Sequence, residues 1–251
     1  MKTAITGAIV ALAAFALPAS AQTTENQLSD PRSAFQGTGG GMWHARVEKT
    51  DRGHIIGNPE AEASLIEFIS YTCSHCATFA REGEGALDLA VLAPGHMTVE
   101  VRPVIRNAID LTVSMLVACG DTNKFKDRHR LFLMRQPQWL SKVRSAPASQ
   151  QALFQRADRA SRISMAAALD LDDMLASRGV SRADITTCLS DDRAAQALIE
   201  NGRADSTEFG IRGTPSFAMD GELLTDVHEW RTLYPVIAER FRPKPEQESA
   251  F

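Results

Sequence analysis

The hydrophobic positions change period along the chain. Ala63 to Tyr71 (ASLIEFISY) is a short apolar run rich in Ile and Phe, too short for an ordinary helix, and predicts a buried strand. From Cys73 to Leu92 the spacing changes: Phe79, Leu87, Leu89, Val91 and Leu92 mix with Arg81, Glu82, Glu84 and Asp88 as one amphipathic helix would. Met97 to Ile105 (MTVEVRPVI) predicts a second strand. Strand, helix and strand in one sheet imply parallel strands joined by a right-handed crossover. Ala108 to about Phe209 is then helical in pattern almost throughout. Ser181-Arg182-Ala183-Asp184 resembles a capping box that opens a helix through Cys188, Asp191 is placed to cap the next, and Gly210 suits a left-handed stop. Ser216 to Met219 predicts a short strand, Asp220-Gly221 a hairpin turn into Glu222 to Thr225, and His228 to Phe241 a closing helix. The pieces describe an α/β scaffold in two halves, residues 43–107 and 210–242, on either side of a helical insertion at 108–209.

Outside that scaffold the pattern breaks down. The chain opens MKTAITGAIVALAAFALPASAQ: a positive Lys2, an apolar run from Ala4 to Leu17, and the small-x-small stretch Ala19-Ser20-Ala21. Residues 1–21 read as a signal peptide cleaved after Ala21, which places the mature protein in the periplasm. A membrane anchor is the alternative, but the run falls short of the roughly 20 apolar residues a spanning helix needs. Residues 22–42 are polar and end in Gly37, Gly39, Gly40 and Gly41, a flexible linker, and 243–251 reads as a disordered tail.

Charge and cysteine count narrow the classes. A formal net charge of −4 gives no reason to expect nucleic acid or an anionic membrane as partner. Four cysteines can stay oxidised in an exported protein, whereas in cytosol they would suggest metal or catalysis.

Cys73-Ser74-His75-Cys76 falls where the first strand gives way to the helix. Unpaired N–H groups and a partial positive charge at a helix start favour thiolate over thiol. Three residues is about one helical turn, so Cys76 returns beneath Cys73, within the roughly 4.4–6.8 Å between Cα atoms that a disulfide requires. Cys73 is the expected outer, attacking sulfur and Cys76 the inner, resolving one. A His75 ring directed at Cys73 would add to the thiolate's stability, at about 1.4 kcal/mol per unit of depressed pKa. Stabilising the reduced form makes such a dithiol an oxidant. Two other readings stay open here: half of a zinc site, for which Cys119 and Cys188 supply no second close pair, and a merely structural pair.

With the late segment FGIRGTPSF, the approach GNPEAEASLIEFISYTCSHC resembles the thioredoxin superfamily, and within it the DsbA-type periplasmic disulfide oxidoreductases. The resemblance runs from about Gly57 to Phe241. It implies an α/β thioredoxin fold with a large inserted helical domain. It also implies that Pro215 is cis and faces the dithiol, with Thr214 presenting backbone to a substrate strand. From the residues alone, Thr214-Pro215 reads as an ordinary turn or strand start. Glu67 corresponds to the family's buried acid beneath the inner cysteine, where it would exchange a proton with Cys76; the alternative is a solvent-facing residue at the sheet edge. Ser74 departs from the family's CPHC: serine in place of proline restores an N–H and adds a hydroxyl that could donate to the thiolate.

The implied activity is oxidation of cysteines in exported proteins through a mixed disulfide at Cys73, with no cofactor and no metal. The implied partners are those substrates and a membrane redox partner of DsbB type that reoxidises the dithiol. The linker at 22–42 lacks the helical periodicity of an assembly domain, which favours a monomer over an oligomeric isomerase. An isomerase or reductase on the same scaffold is the alternative, and a metal- or peptide-binding module a more distant one. Cys119, closing one apolar helix, and Cys188, in a later one, are expected to form a structural disulfide, the alternative being two buried free thiols.

Overall fold

The structure, a computed structural model, describes residues 42–242. The expected signal peptide, residues 22–41 of the expected linker and the expected tail at 243–251 lie outside the described residues. The described strands are β1 (Val47–Lys49), β2 (His54–Gly57), β3 (Ala63–Ile69), β4 (Met97–Pro103), β5 (Ser216–Met219) and β6 (Glu222–Leu223), which form one sheet in the order β1-β2-β4-β3-β5-β6. β3 and β4 are parallel, and the other pairings are antiparallel. β3 is hydrogen-bonded on both edges and covered on both faces, which is why it reads as an apolar run. Phe68 packs on one face against Phe209, at 4.9 Å between ring centroids. On the other face Phe217, the register partner of Glu67, packs at 4.9 Å against Phe79. Burying each such phenylalanine contributes about 2 kcal/mol.

Two strands were not legible from hydrophobic period. β1 and β2 have three and four residues, too few to show an alternation. What makes their hairpin is the turn: the Thr50 hydroxyl accepts from the N–H groups of Arg52 and Gly53 and donates to Glu100 of β4. The single helix expected over 73–92 is also divided. α1 (Ser74–Glu82) ends at Gly83, α2 (Glu84–Leu87) follows, and Asp88–Leu92 widens into a π-helical turn. A Cβ on Gly83 would lie 2.7 Å from the Phe79 ring, so the residue that divides the helix also lets that ring fold back onto it.

Between β4 and β5 lie eight described α-helices: α3 (Ala108–Val117), α4 (Phe125–Met134), α5 (Gln136–Ser145), α6 (Ala148–Leu153), α7 (Arg159–Ala168), α8 (Leu171–Ala176), α9 (Arg182–Ser190) and α10 (Asp192–Glu208). Leu116, Phe132, Trp139, Met165 and Leu171 are buried among them. Ser181 and Asp191 cap α9 and α10, their side chains accepting from the N–H groups of Asp184 and Ala194. α10 returns to the sheet. Its Gly202 passes so close to residues 103–105 that a Cβ would sit 3.2 Å from Pro103 O, and its buried Asp205 takes hydrogen bonds from Arg102 and Arg52. The β5–β6 hairpin and α11 (Trp230–Arg240) complete the scaffold. No helix among the described residues is long and apolar enough to cross a membrane.

Cys119, just beyond α3, is joined by a disulfide to Cys188 of α9. The bond closes a loop spanning 69 positions. The chain-entropy effect of a loop of that length predicts that Cys119→Ala/Cys188→Ala lowers the unfolding free energy by about 4 kcal/mol, read as a lower urea midpoint. An unchanged midpoint would show that the cross-link contributes nothing.

Candidate active site

The dithiol sits where β3 ends and α1 begins. Cys73 occupies the N-cap with extended backbone (φ −86°, ψ 122°), so its side chain faces the free N–H groups of the first turn. Cys73 is half-buried and Cys76 fully buried, and both are free thiols. Antiparallel pairing of β3 with β5, in the register Phe68↔Ser216, brings residues 213–215 alongside. The Thr214–Pro215 peptide bond is cis. The Cys73 thiol donates to the Thr214 carbonyl at 3.0 Å, and the Ser70 N–H donates to Cys76 Sγ at 3.5 Å.

These neighbours push the two thiols in opposite directions. The Cys73 pKa falls to about 4: a hydrogen bond from the Cys76 thiol is the main cause, burial works against it, and the Thr214 side chain and the N–H groups of Cys76 and His75 add to the stabilisation. The Thr214 hydroxyl has no other partner among the described residues, which leaves it free for the thiolate. Opposing these donors, the Thr214 carbonyl favours the protonated thiol. Burial drives the Cys76 pKa upward, and donating to Cys73 and the negative charge there raise it further. At neutral pH the site therefore holds an outer thiolate and an inner thiol.

The side chains of His75 and Ser74 do not hydrogen-bond Cys73 in the structure. His75 contributes its backbone N–H, while its ring is exposed and takes no part in the hydrogen bonds among the described residues. Ser74 is exposed at the first position of α1, with its hydroxyl likewise unengaged. The fixed donors are supplied by the helix start, not by the dipeptide's side chains. Glu67 is buried and makes no hydrogen bond to Cys76 among the described residues. Its carboxyl meets Glu84 and His129, and burial, with the Glu84 charge second, raises its pKa well above the usual carboxylate range.

Four residues that the hydrophobic pattern did not single out hold the site together. Asp110 of α3, fully buried, accepts from the Ser70 hydroxyl (2.8 Å), the Thr72 N–H (2.9 Å) and the Thr72 hydroxyl (3.0 Å). Burial raises its pKa, and these same donors oppose the rise. Asn107 caps α3 by accepting from Asp110 N, and its amide donates to Thr72 Oγ1. Gln136 donates from one amide nitrogen to the carbonyls of Tyr71 (2.7 Å) and Cys73 (2.8 Å). His228 donates from Nδ1 to Pro215 O at 2.7 Å, which pins the cis-proline loop. Asn107 with Asp110 three residues later is an N-cap signature that could have flagged two of the four. Gln136 and His228 carry no comparable local signal.

A hydrogen bond to a charged group contributes about 1.5–3 kcal/mol. Cys76→Ala is therefore expected to raise the Cys73 pKa by about one to two pH units, measured from the pH dependence of alkylation. His75→Ala, which keeps its backbone N–H, is expected to leave it near the parent value. A larger rise from His75→Ala than from Cys76→Ala would reverse this assignment.

Residues 49–239 match a family model described as Thioredoxin. A protein-disulfide isomerase of known structure from Novosphingobium aromaticivorans is 34% identical, covering 76% of this chain and 99% of that one, with a TM-score of 0.73. α-DsbA1 of Wolbachia pipientis shares the fold, at a TM-score of 0.61 with 16% identity over 79% of this chain and 95% of its own. A curated relative in Rickettsia conorii, provisionally named a protein-disulfide oxidoreductase, is 26% identical over 174 residues. That match takes in 68% of this chain but 54% of the relative, so the chain spans about half the length of the curated relatives it matches. Its sheet, its dithiol at a helix start and these matches together make the chain a member of the thioredoxin family.

Proposed function

We propose that this protein is a DsbA-like thiol-disulfide oxidoreductase that passes a Cys73–Cys76 disulfide to cysteines of exported proteins in the periplasm. It works as a monomer and is reoxidised by a DsbB-type membrane partner. The observation that carries this reading is the opposed pair of thiols, Cys73 lowered to about 4 and Cys76 raised by burial.

The exchange follows from that asymmetry. In the oxidised protein a substrate thiolate attacks the more exposed Cys73 sulfur, the Cys73–Cys76 bond breaks, and Cys76 leaves and takes up a proton. A second substrate thiolate then attacks its own partner sulfur in the mixed disulfide and releases Cys73 as thiolate. The substrate loses two electrons and gains a disulfide, the protein's dithiol gains those electrons, and of the two substrate protons one ends on Cys76 and one in solvent. A low leaving-group pKa speeds the release of Cys73, and a stabilised thiolate keeps the reaction from reversing. A Cys73 sulfur held in a disulfide carries no proton to donate, so in the oxidised protein and the mixed disulfide the Thr214 carbonyl is available to an extended substrate segment beside Pro215.

The second reading is an isomerase, favoured by the 34% identity to the Novosphingobium protein-disulfide isomerase. Redox-linked stability separates the two. Depressing the Cys73 pKa from 9.0 to about 4 stabilises the folded reduced protein fully above the ordinary thiol pKa, progressively less as pH falls, and not at all below about 4. The oxidised protein has no such thiolate. The reduced form is therefore expected to melt at a higher temperature than the oxidised form at pH 7, with the gap narrowing towards pH 4. An oxidised form that is the more stable at pH 7 would exclude the oxidant reading.

A further inference from the structure

One buried cluster makes no hydrogen bond to either thiol among the described residues. Glu67 of β3, Glu84 of α2 and His129 of α4 bring two carboxylate oxygens and an imidazole nitrogen within 4.8 Å of one another. The three residues are only 2%, 8% and 2% exposed, so water does not satisfy them from outside. Oε1 of Glu67 accepts no hydrogen bond among the described residues. A buried carboxylate oxygen left in that state is costly and points to a missing partner. The side chains face a cavity of about 20 Å³, otherwise walled mainly by Leu87, Leu92 and Val99. That is room for about one water.

We propose that Glu67, Glu84 and His129 form a zinc-binding site. Three side chains of the O, O, N type, with one carboxylate binding through both oxygens, make up the four-coordinate set that Zn²⁺ accepts, and the cavity between them takes the ion itself. Mg²⁺ and Ca²⁺ require six or more oxygen ligands, which this space does not hold. The imidazole is already aimed. Nε2 lies 3.0 Å from Glu84 Oε1 and faces the cluster, while Nδ1 is 2.9 Å from the Tyr71 hydroxyl. An outer hydrogen bond of that kind fixes the orientation of a metal-binding imidazole. With zinc on Nε2 the ring proton sits on Nδ1 and is donated to the Tyr71 oxygen, so the ring stays neutral.

The surrounding charges leave the two carboxylates for the cation. Lys126 also lines the cavity, but its ammonium is held by Asp88 and by the His44 carbonyl. Arg130, 40% exposed at its side chain, is shared between Glu84 at 3.6 Å and Asp88 at 3.8 Å. Zinc here would tie the central strand, the helix that follows the dithiol, and the insertion to a single ion, without touching either thiol.

Thiolates can themselves ligate zinc, so the test uses the full chain carrying Cys73→Ser/Cys76→Ser. Crystals soaked in zinc chloride are expected to show an anomalous peak among the three side chains. In solution, competition with a chromophoric chelator is expected to give one Zn²⁺ per chain, weakened at least tenfold by Glu67→Gln and by His129→Gln. A peak found only at surface histidines, or an affinity that both substitutions leave unchanged, would overturn the proposal. So would the absence of bound zinc, in which case the two carboxyl groups share a proton. Should His129→Gln fail to fold, the diffraction experiment on the thiol-free parent still decides.

Discussion

The hydrogen bonds that converge on Cys73 Sγ set the demands on the rest of the molecule. A thiolate next to a buried thiol persists only where donors are held in place before the charge forms. The N–H groups of His75 and Cys76 are held by α1, the Cys76 thiol by its burial, and Thr214 by the loop before β5. None of these is positioned by the CxxC sequence alone. The joint between β3 and α1 and the loop at 213–215 meet because antiparallel neighbours place the end of one strand beside the start of the next, in the register Phe68↔Ser216. Phe79 against Phe217 on one face and Phe68 against Phe209 on the other keep that register from slipping, since a one-residue shift of either strand would turn its phenylalanine to the opposite face, away from its partner ring.

The insertion is part of the site's support. Asp110 and Asn107 at the start of α3, and Gln136 at the start of α5, hold residues 70–73 by hydrogen bonds. Asp205 and Gly202 fasten the far end of the insertion to β4. The chain leaves the sheet after β4, builds eight helices, and returns in α10, so the insertion is anchored at both ends. Its own disulfide joins α9 to the end of α3, and so stiffens the helix that carries Asp110.

Much of this was legible in the chain, for identifiable reasons. β3, β4 and the β5–β6 hairpin have run lengths and turn residues that leave little choice, and Ser181 and Asp191 announce two helix starts through their caps. The dithiol's place at a helix start follows from the change of period at Cys73. The illegible parts depend on long-range contact. Gly83 divides the first helix because of where one ring packs. His75 looked like the source of the thiolate's stability, yet its ring is exposed and it is its backbone N–H that bonds the thiolate. Glu67 was recognisable as a buried acid by resemblance. Its partners, Glu84 and His129, lie in separate helices with no spacing that sequence could reveal.

The reduction potential of the Cys73–Cys76 pair, measured by equilibration with glutathione at pH 7, tests the central claim most directly. A stabilised Cys73 thiolate predicts an oxidising couple, with a potential above about −180 mV. A potential near −270 mV, in the range of cytosolic reductants, would contradict the account.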